Sequence, residues 1–196
     1  MRILISTFYS LEPVVSSIHR YSPEKVYLLT DKDMDQQATN NFETLKNTFS
    51  HVVDLKRIPV NQYDIYEVAK KTVDIIDREY HNQNEIFINI TGGRKTYMLG
   101  VLYGAYTRCD LVSSIHYIRE EDSQPMELPK MSYDLNDVEH TLLELINTSK
   151  EFNVSEAANR LGKTKGLIYL YLKKLKSRGF IDDDFRITTA GKIALL

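Results

Sequence analysis

Through the first 120 residues, short apolar runs alternate with longer segments whose apolar positions recur three and four apart. The short runs cover 2–6, 25–30, 51–58, 85–89 and 113–119, each of the length and composition of a buried strand. Between them, 12–21, 35–49, 63–81 and 96–108 carry the helical period. The third is the clearest: Ile65, Val68, Ala69, Thr72, Ile75 and Ile76 line one face, with Glu67, Lys70, Lys71 and Asp74 between them. Alternation of this kind predicts an α/β fold, a parallel sheet with helices on both faces. Ligands of such sheets bind beyond the carboxyl ends of the strands, where the winding reverses. The loops at 6–11, 30–34 and 89–96 are therefore the ones to watch.

The pattern breaks at 120–129, an acidic stretch with two prolines and no period, which reads as a linker or an edge hairpin. Beyond it the periodicity is helical throughout, over 135–149, 154–161 and 164–178. A segment at 180–188 with an acidic turn and a last short helix follow. The organisation expected is a first domain at 1–122, a linker at 123–133 and a small second domain at 134–196. A length of 196 residues and 42% hydrophobic content support two cores. A net charge of −2 creates no global attraction for nucleic acid, so any such surface has to come from local segregation. The lone Cys109 excludes an intrachain disulfide, and no apolar run reaches the roughly 20 residues of a membrane span. The expectation is a cytoplasmic protein without membrane contact.

The candidate chemistry centres on Asn89-Ile90-Thr91-Gly92-Gly93-Arg94-Lys95-Thr96, lying between a strand and a helix. A Gly-Gly turn there aims unpaired backbone N–H groups and the positive end of the helix dipole at one point, which suits an anion. Arg94, Lys95 and Thr96 add donors in a first turn where the dipole disfavours cations unless an anion is present. Lys95 follows Arg94 and not Gly, which excludes a Walker A loop, and no G-x-G-x-x-G dinucleotide fingerprint occurs. The plainer alternative is a tight turn with Arg94 and Lys95 solvated. The five histidines are scattered without metal-ligand spacing, and no cofactor is expected.

N-x-T-G-G-x-K at the fourth strand of a small Rossmann-like domain resembles the CARF family (CRISPR-associated Rossmann fold), over about 1–130. The resemblance implies a homodimer that binds cyclic oligoadenylate, here a cyclic tetra-adenylate, across its two-fold axis. It implies ligand contacts from Asn89, Thr91, Gly92, Gly93, Arg94, Lys95 and Thr96, and from Ser6, Thr7, Phe8 and Tyr9 after the first strand. Ser6 and Thr7 would bond ribose or phosphate, while Phe8 or Tyr9 would stack on adenine; core packing is the alternative for both aromatics. The R-x4–6-H motif of an associated HEPN ribonuclease does not occur. Slow cleavage of the ring itself, with Lys95, Arg94 and Ser6 placing a 2′-hydroxyl in line, stays open as an enzymatic alternative.

The second constellation is a helix-turn-helix pattern at 154–178, with glycine in the turn and Thr164 as N-cap. Seven cations and no acidic residue fall between 160 and 178. This resembles the winged helix-turn-helix of bacterial and archaeal regulators, with 180–188 as the wing. It implies double-stranded DNA contacts from Lys163, Thr164, Lys165, Tyr169, Lys173 and Lys174. One departure is the apolar character of Leu167, Tyr169 and Leu170, where Leu167 or Leu170 would have to meet thymine methyls. A three-helix dimerisation module is the alternative. The whole chain resembles the CRISPR-locus transcriptional regulators of the CARF family.

Overall fold

The computed structural model describes residues 1–130, 135–149 and 152–196. Two compact units divide the chain at residues 1–132 and 133–196. In the first, the apolar runs become strands β1 (Arg2–Thr7), β2 (Lys25–Asp31), β3 (Asp54–Val60), β4 (Glu85–Asn89) and β5 (Ser114–Ile118), all parallel. A short β6 (Pro125–Glu127) pairs antiparallel to β5, giving the order β3-β2-β1-β4-β5-β6.

Residues next to each other on β1 serve opposite faces, as a pleated strand requires. Leu4, with Val26, Leu28 and Phe87, meets Val14 and Ile18 of α1 (Leu11–Tyr21) and Leu45 of α2 (Gln36–Phe49). Ile3 and Ile5, with Leu29, Ile86 and Ile88, meet α3 (Ile65–His81) and α4 (Lys95–Thr107) through Val68, Ile75, Ile76, Val101 and Ala105. The chain winds from β1 outward to β3, crosses back through α3, and enters β4 beside β1. The winding reverses between β1 and β4, which opens a crevice at their carboxyl ends.

Several boundaries differ from the periodicity. Residues 51–53 do not belong to β3: the N–H groups of Val52 and Val53 donate to the Phe49 carbonyl and finish α2 as a turn. Helix α3 starts at Ile65 because the Asp64 carboxylate caps it, accepting from the Glu67 N–H at 2.9 Å. Helix α4 ends at Thr107, and Cys109 is buried in the 3-10 turn that follows, Cys109–Leu111. Near the start of the expected linker, Pro125–Glu127 pair with β5 as an edge hairpin, one of the two readings of 120–129, and the first unit runs past residue 122. Residues 131–134, on which the expected boundary at 133/134 falls, lie outside the described residues.

The second unit contains α5 (Asp137–Thr148), α6 (Val154–Leu161), α7 (Lys165–Ser177) and α8 (Thr189–Ala194). Asn136 and Glu139 form a reciprocal capping box at the start of α5. Gly162, at φ +61°, ends α6 in the left-handed region, and Thr164 caps α7 by accepting from the Leu167 N–H. Leu142, Leu143 and Ile146 of α5, Ala157 and Ala158 of α6, and Ile168, Leu172 and Leu175 of α7 close one core with Phe180 and Ile181. After α7, an antiparallel bridge pairs Ile181 with Ile187 around a turn in which Asp182 accepts from the N–H groups of Asp184 and Arg186.

Candidate functional site

The loops after β1 and β4 meet at the reversal point. Gly92 packs so close to β1 that a Cβ there would lie 2.8 Å from the Thr7 carbonyl oxygen. Gly93 adopts φ +83°, a conformation glycine takes without strain, and delivers the chain into α4. Arg94 is the N-cap residue in extended conformation, and Lys95 and Thr96 open the helix. No side chain caps α4 and no acidic residue lies in its first turn. The N-terminal dipole therefore faces the crevice with Arg94 and Lys95 exposed beside it. The Arg94 guanidinium sits over the ring of Tyr63, 5.8 Å from its centroid.

Several residues expected to touch ligand instead hold the loop. Asn89 is fully buried; its Nδ2 donates to the Pro13 carbonyl at 3.1 Å, and its Oδ1 accepts from the Thr91 N–H and hydroxyl at 3.0 and 2.6 Å. The Thr91 Oγ1 accepts in turn from the Ile118 N–H at 2.7 Å. The Ser17 hydroxyl donates to the same Pro13 carbonyl, which leaves its oxygen to accept from His116 Nε2 at 3.0 Å. Burial, with the Arg20 charge adding to it, pushes His116 down to about 4, so the imidazole is neutral. This polar tie fastens α1, β4 and β5 beneath the Gly-Gly turn.

The β1 loop divides similarly. Ser6 and Thr7 are fully buried, with the Ser6 hydroxyl donating to the Thr7 carbonyl. Phe8 packs edge-on to Phe42 in the core, which is the alternative the sequence left open for it. Only Tyr9 is exposed, and its hydroxyl donates to Asp35 at 3.2 Å. That bond and the Asp35 charge push the phenol above its ordinary range. Thr96 turns its hydroxyl into the protein. Of the expected contacts, the structure brings Tyr9, Gly93, Arg94 and Lys95 together at the surface, while Gly92 is buried against β1.

Two clefts flank Gly93. One, about 390 Å³, is lined by Tyr9, Asp31, Asp33, Asp35, Gln62 and Arg94 among others. The second, about 290 Å³, lies toward β5 between Glu12, Thr91, Gly92 and Arg119. The carboxylates of the larger cleft and the Tyr63 platform under Arg94 were missed as site residues. The 30–34 loop was flagged by its place in the winding, whereas Tyr63 gives no signal before the fold brings it to Arg94. Among the described residues, no group of three His, Cys, Asp or Glu could hold a metal ion, and no helix is long and apolar enough to cross a membrane.

In the second unit, α7 turns Gly166, Tyr169, Leu170 and Lys173 outward, opposite buried Ile168, Leu172 and Leu175. Lys163 and Lys165 are exposed beside the Thr164 cap. Lys174 is not available in the same way: its ammonium lies 2.6 Å from the carboxylate of Glu139, a buried residue on α5, which Arg178 also approaches at 3.5 Å. Lys176 pairs with Asp183 at the acidic turn.

The first unit is a Rossmann-like α/β domain whose sheet reverses its winding between β1 and β4. Residues 4–124 match the family model described as HFX_2341_N:-like, N-terminal, and the chain belongs to that family. Among solved structures, it is similar to Can2 from Sulfobacillus thermosulfidooxidans in complex with cyclic tetra-adenylate. The TM-score is 0.50 at 14% identity, covering 99% of this chain and 64% of that one. It is similar to Enterococcus italicus Csm6 bound to cyclic hexa-2′-fluoro-hexa-dAMP, with TM-score 0.53 and 12% identity over 90% of this chain and 49% of that one. Protein VC1899 from Vibrio cholerae gives 0.51 and 11%, over 99% and 64%. These likenesses concern the fold, and the chain spans less than two thirds of each protein's length. No curated protein matches the sequence.

Proposed function

We propose that this chain is a homodimeric sensor of cyclic oligoadenylate, a cyclic tetra-adenylate by choice, whose C-terminal unit is a winged helix that binds DNA and regulates transcription in CRISPR defence. The observation that carries this is the uncapped N-terminus of α4, with Arg94 and Lys95 held on a Gly-Gly turn that packs against β1 at the reversal of the sheet. Backbone N–H groups, dipole and two cations converge there on one anionic group. Similarity to proteins solved with cyclic tetra-adenylate and a cyclic hexanucleotide supports a cyclic nucleotide as that anion.

The dimer follows from α4 itself. It is apolar on nearly every side, and Met98, Leu99, Leu102, Tyr103 and Tyr106 stay half-exposed after α3 has covered the inner face. A helix apolar all round is normally buried all round, and a second copy supplies the cover. Two-fold symmetry then sets two Arg94 and two Lys95 around one phosphate ring. The carboxylate-lined cleft beside each Arg94 repels phosphate and favours the donors of ribose and adenine. With the Ser6 hydroxyl spent on Thr7, a ring-cleaving reading rests on Arg94 and Lys95 alone.

For DNA, α7 is the reading helix and the 180–188 segment the wing. The wing turn carries Asp182, Asp183 and Asp184 against Arg186, so affinity rests on α7 and the α6–α7 turn. Ligand alters DNA binding only to the extent that it prefers one arrangement of the dimer. The test is to recover duplexes from a randomised pool with the full chain, then measure their affinity with and without cyclic tetra-adenylate. A change of about five-fold or more, a coupling of roughly 1 kcal/mol, is expected. Equal affinities at saturating ligand would overturn the coupled reading.

A further inference from the structure

On α7 the exposed face is not the polar surface that hydrogen-bond readout of bases needs. Leu170 is 64% exposed and Tyr169 54% exposed, the two large apolar side chains left uncovered in the second unit among the described residues. Leu170 lies opposite the buried stripe of Ile168, Leu172 and Leu175, at the centre of the outward face. Gly166 lies one turn before it with open space where a side chain would stand. Leu167, the other candidate the sequence offered, is half-buried at the edge of this face.

The charges around these side chains separate into two sets. Lys174, Lys176 and Arg178, toward the C-terminal end, approach Glu139 or Asp183. Lys163 and Lys165 before the face, and Lys173 beside Leu170, are exposed and enter no salt bridge among the described residues. The result is an apolar centre framed by uncompensated cations. Cations framing an apolar face oppose pairing with an identical, equally positive face. They complement a duplex, whose major groove presents the thymine methyl as its apolar feature between two rows of phosphates.

We infer that α7 reads DNA chiefly through thymine methyl groups, with Leu170 and Tyr169 as the reading side chains and Lys165 and Lys173 holding the flanking phosphates. The inference rests on the DNA-binding reading above and narrows it to A·T-rich half-sites. Burying one methyl is worth about a four-fold change in affinity.

The test uses the full chain and two duplexes of alternating sequence, one of A and T, the other of A and deoxyuridine, which lacks only the methyl. Anisotropy titration is expected to favour the thymine duplex by about four-fold for each methyl covered. Leu170→Ala is expected to remove most of that preference. Lys173→Ala is expected to weaken both duplexes equally and to lower the salt slope by about one phosphate contact. Binding of both duplexes with the same affinity would overturn the methyl reading and leave DNA binding intact. Binding of neither would overturn both, and a change of oligomeric state in Leu170→Ala would then assign the face to a second copy.

Discussion

Replacing Glu139 by glutamine separates the charge of one buried carboxylate from its shape. The residue is 1% exposed on α5, closes the capping box with Asn136, and meets Lys174 at 2.6 Å and Arg178 at 3.5 Å. Burial alone would raise its pKa, but the Lys174 ammonium, the Asn136 N–H and the Arg178 charge outweigh that and hold it below the ordinary range. Glutamine keeps the cap, which accepts Glu or Gln, and removes only the pairing. Losing one member of a fully buried pair costs about 3–5 kcal/mol. Here both cations keep partial contact with water, and roughly 1–3 kcal/mol is the appropriate range. Hydrogen exchange on the full chain reads this directly: protection of α7 amides should fall between about five- and 150-fold, with β1 and β4 unchanged. The released Lys174 should also steepen the salt dependence of duplex binding. Unaltered protection in α7 would refute the claim that this carboxylate clamps α7 to α5.

Three further outcomes are expected. His116 has its folded pKa lowered to about 4, so it favours the native state above its unfolded value and loses that contribution as pH falls from about 6.5 to about 4; thermal melts of His116→Gln should be flatter over that window. Gly92→Ala forces a Cβ to 2.8 Å from the Thr7 carbonyl, so it should displace the turn and cost at least about 1–3 kcal/mol by denaturant titration. Tyr63→Ala removes the ring under Arg94 and should weaken ligand binding about two- to five-fold by calorimetry without changing fold stability.

Much of the first unit was legible because β1, β2, β4 and β5 are largely apolar runs and α1, α2 and α3 keep a regular period, whereas the charged β3 and the all-round apolar α4 carry weaker patterns. For the acidic stretch 120–129 the sequence left a linker and an edge hairpin open, and the pairing of Pro125–Glu127 with the edge of β5 decides for the hairpin. The Gly-Gly turn was legible as a strand-to-helix turn, but the bonding of its neighbours was not. Asn89 and Thr91 are polar residues of the right kind for a ligand, yet both are consumed in fastening β4 to α1 and β5. Nothing local distinguishes Phe8, turned into the core, from Tyr9, turned to the surface, until Phe42 is seen against Phe8. Likewise Lys173 and Lys174 are adjacent in the chain and both exposed, and only the packing of α5 on α7 brings Lys174 to a buried acid. Local pattern reported element type and the turn; long-range pairing decided which polar groups remain for function.

Titration calorimetry of the full chain with cyclic tetra-adenylate, against the linear tetra-adenylate, bears most directly on the sensor claim. One ring per two chains is expected. Combined Arg94→Ala and Lys95→Ala removes two charge-assisted contacts from each half, worth about 1.5–3 kcal/mol apiece, and should weaken binding by at least about ten-thousand-fold. Absence of heat with the ring, or equal affinity in the double variant, would contradict the account.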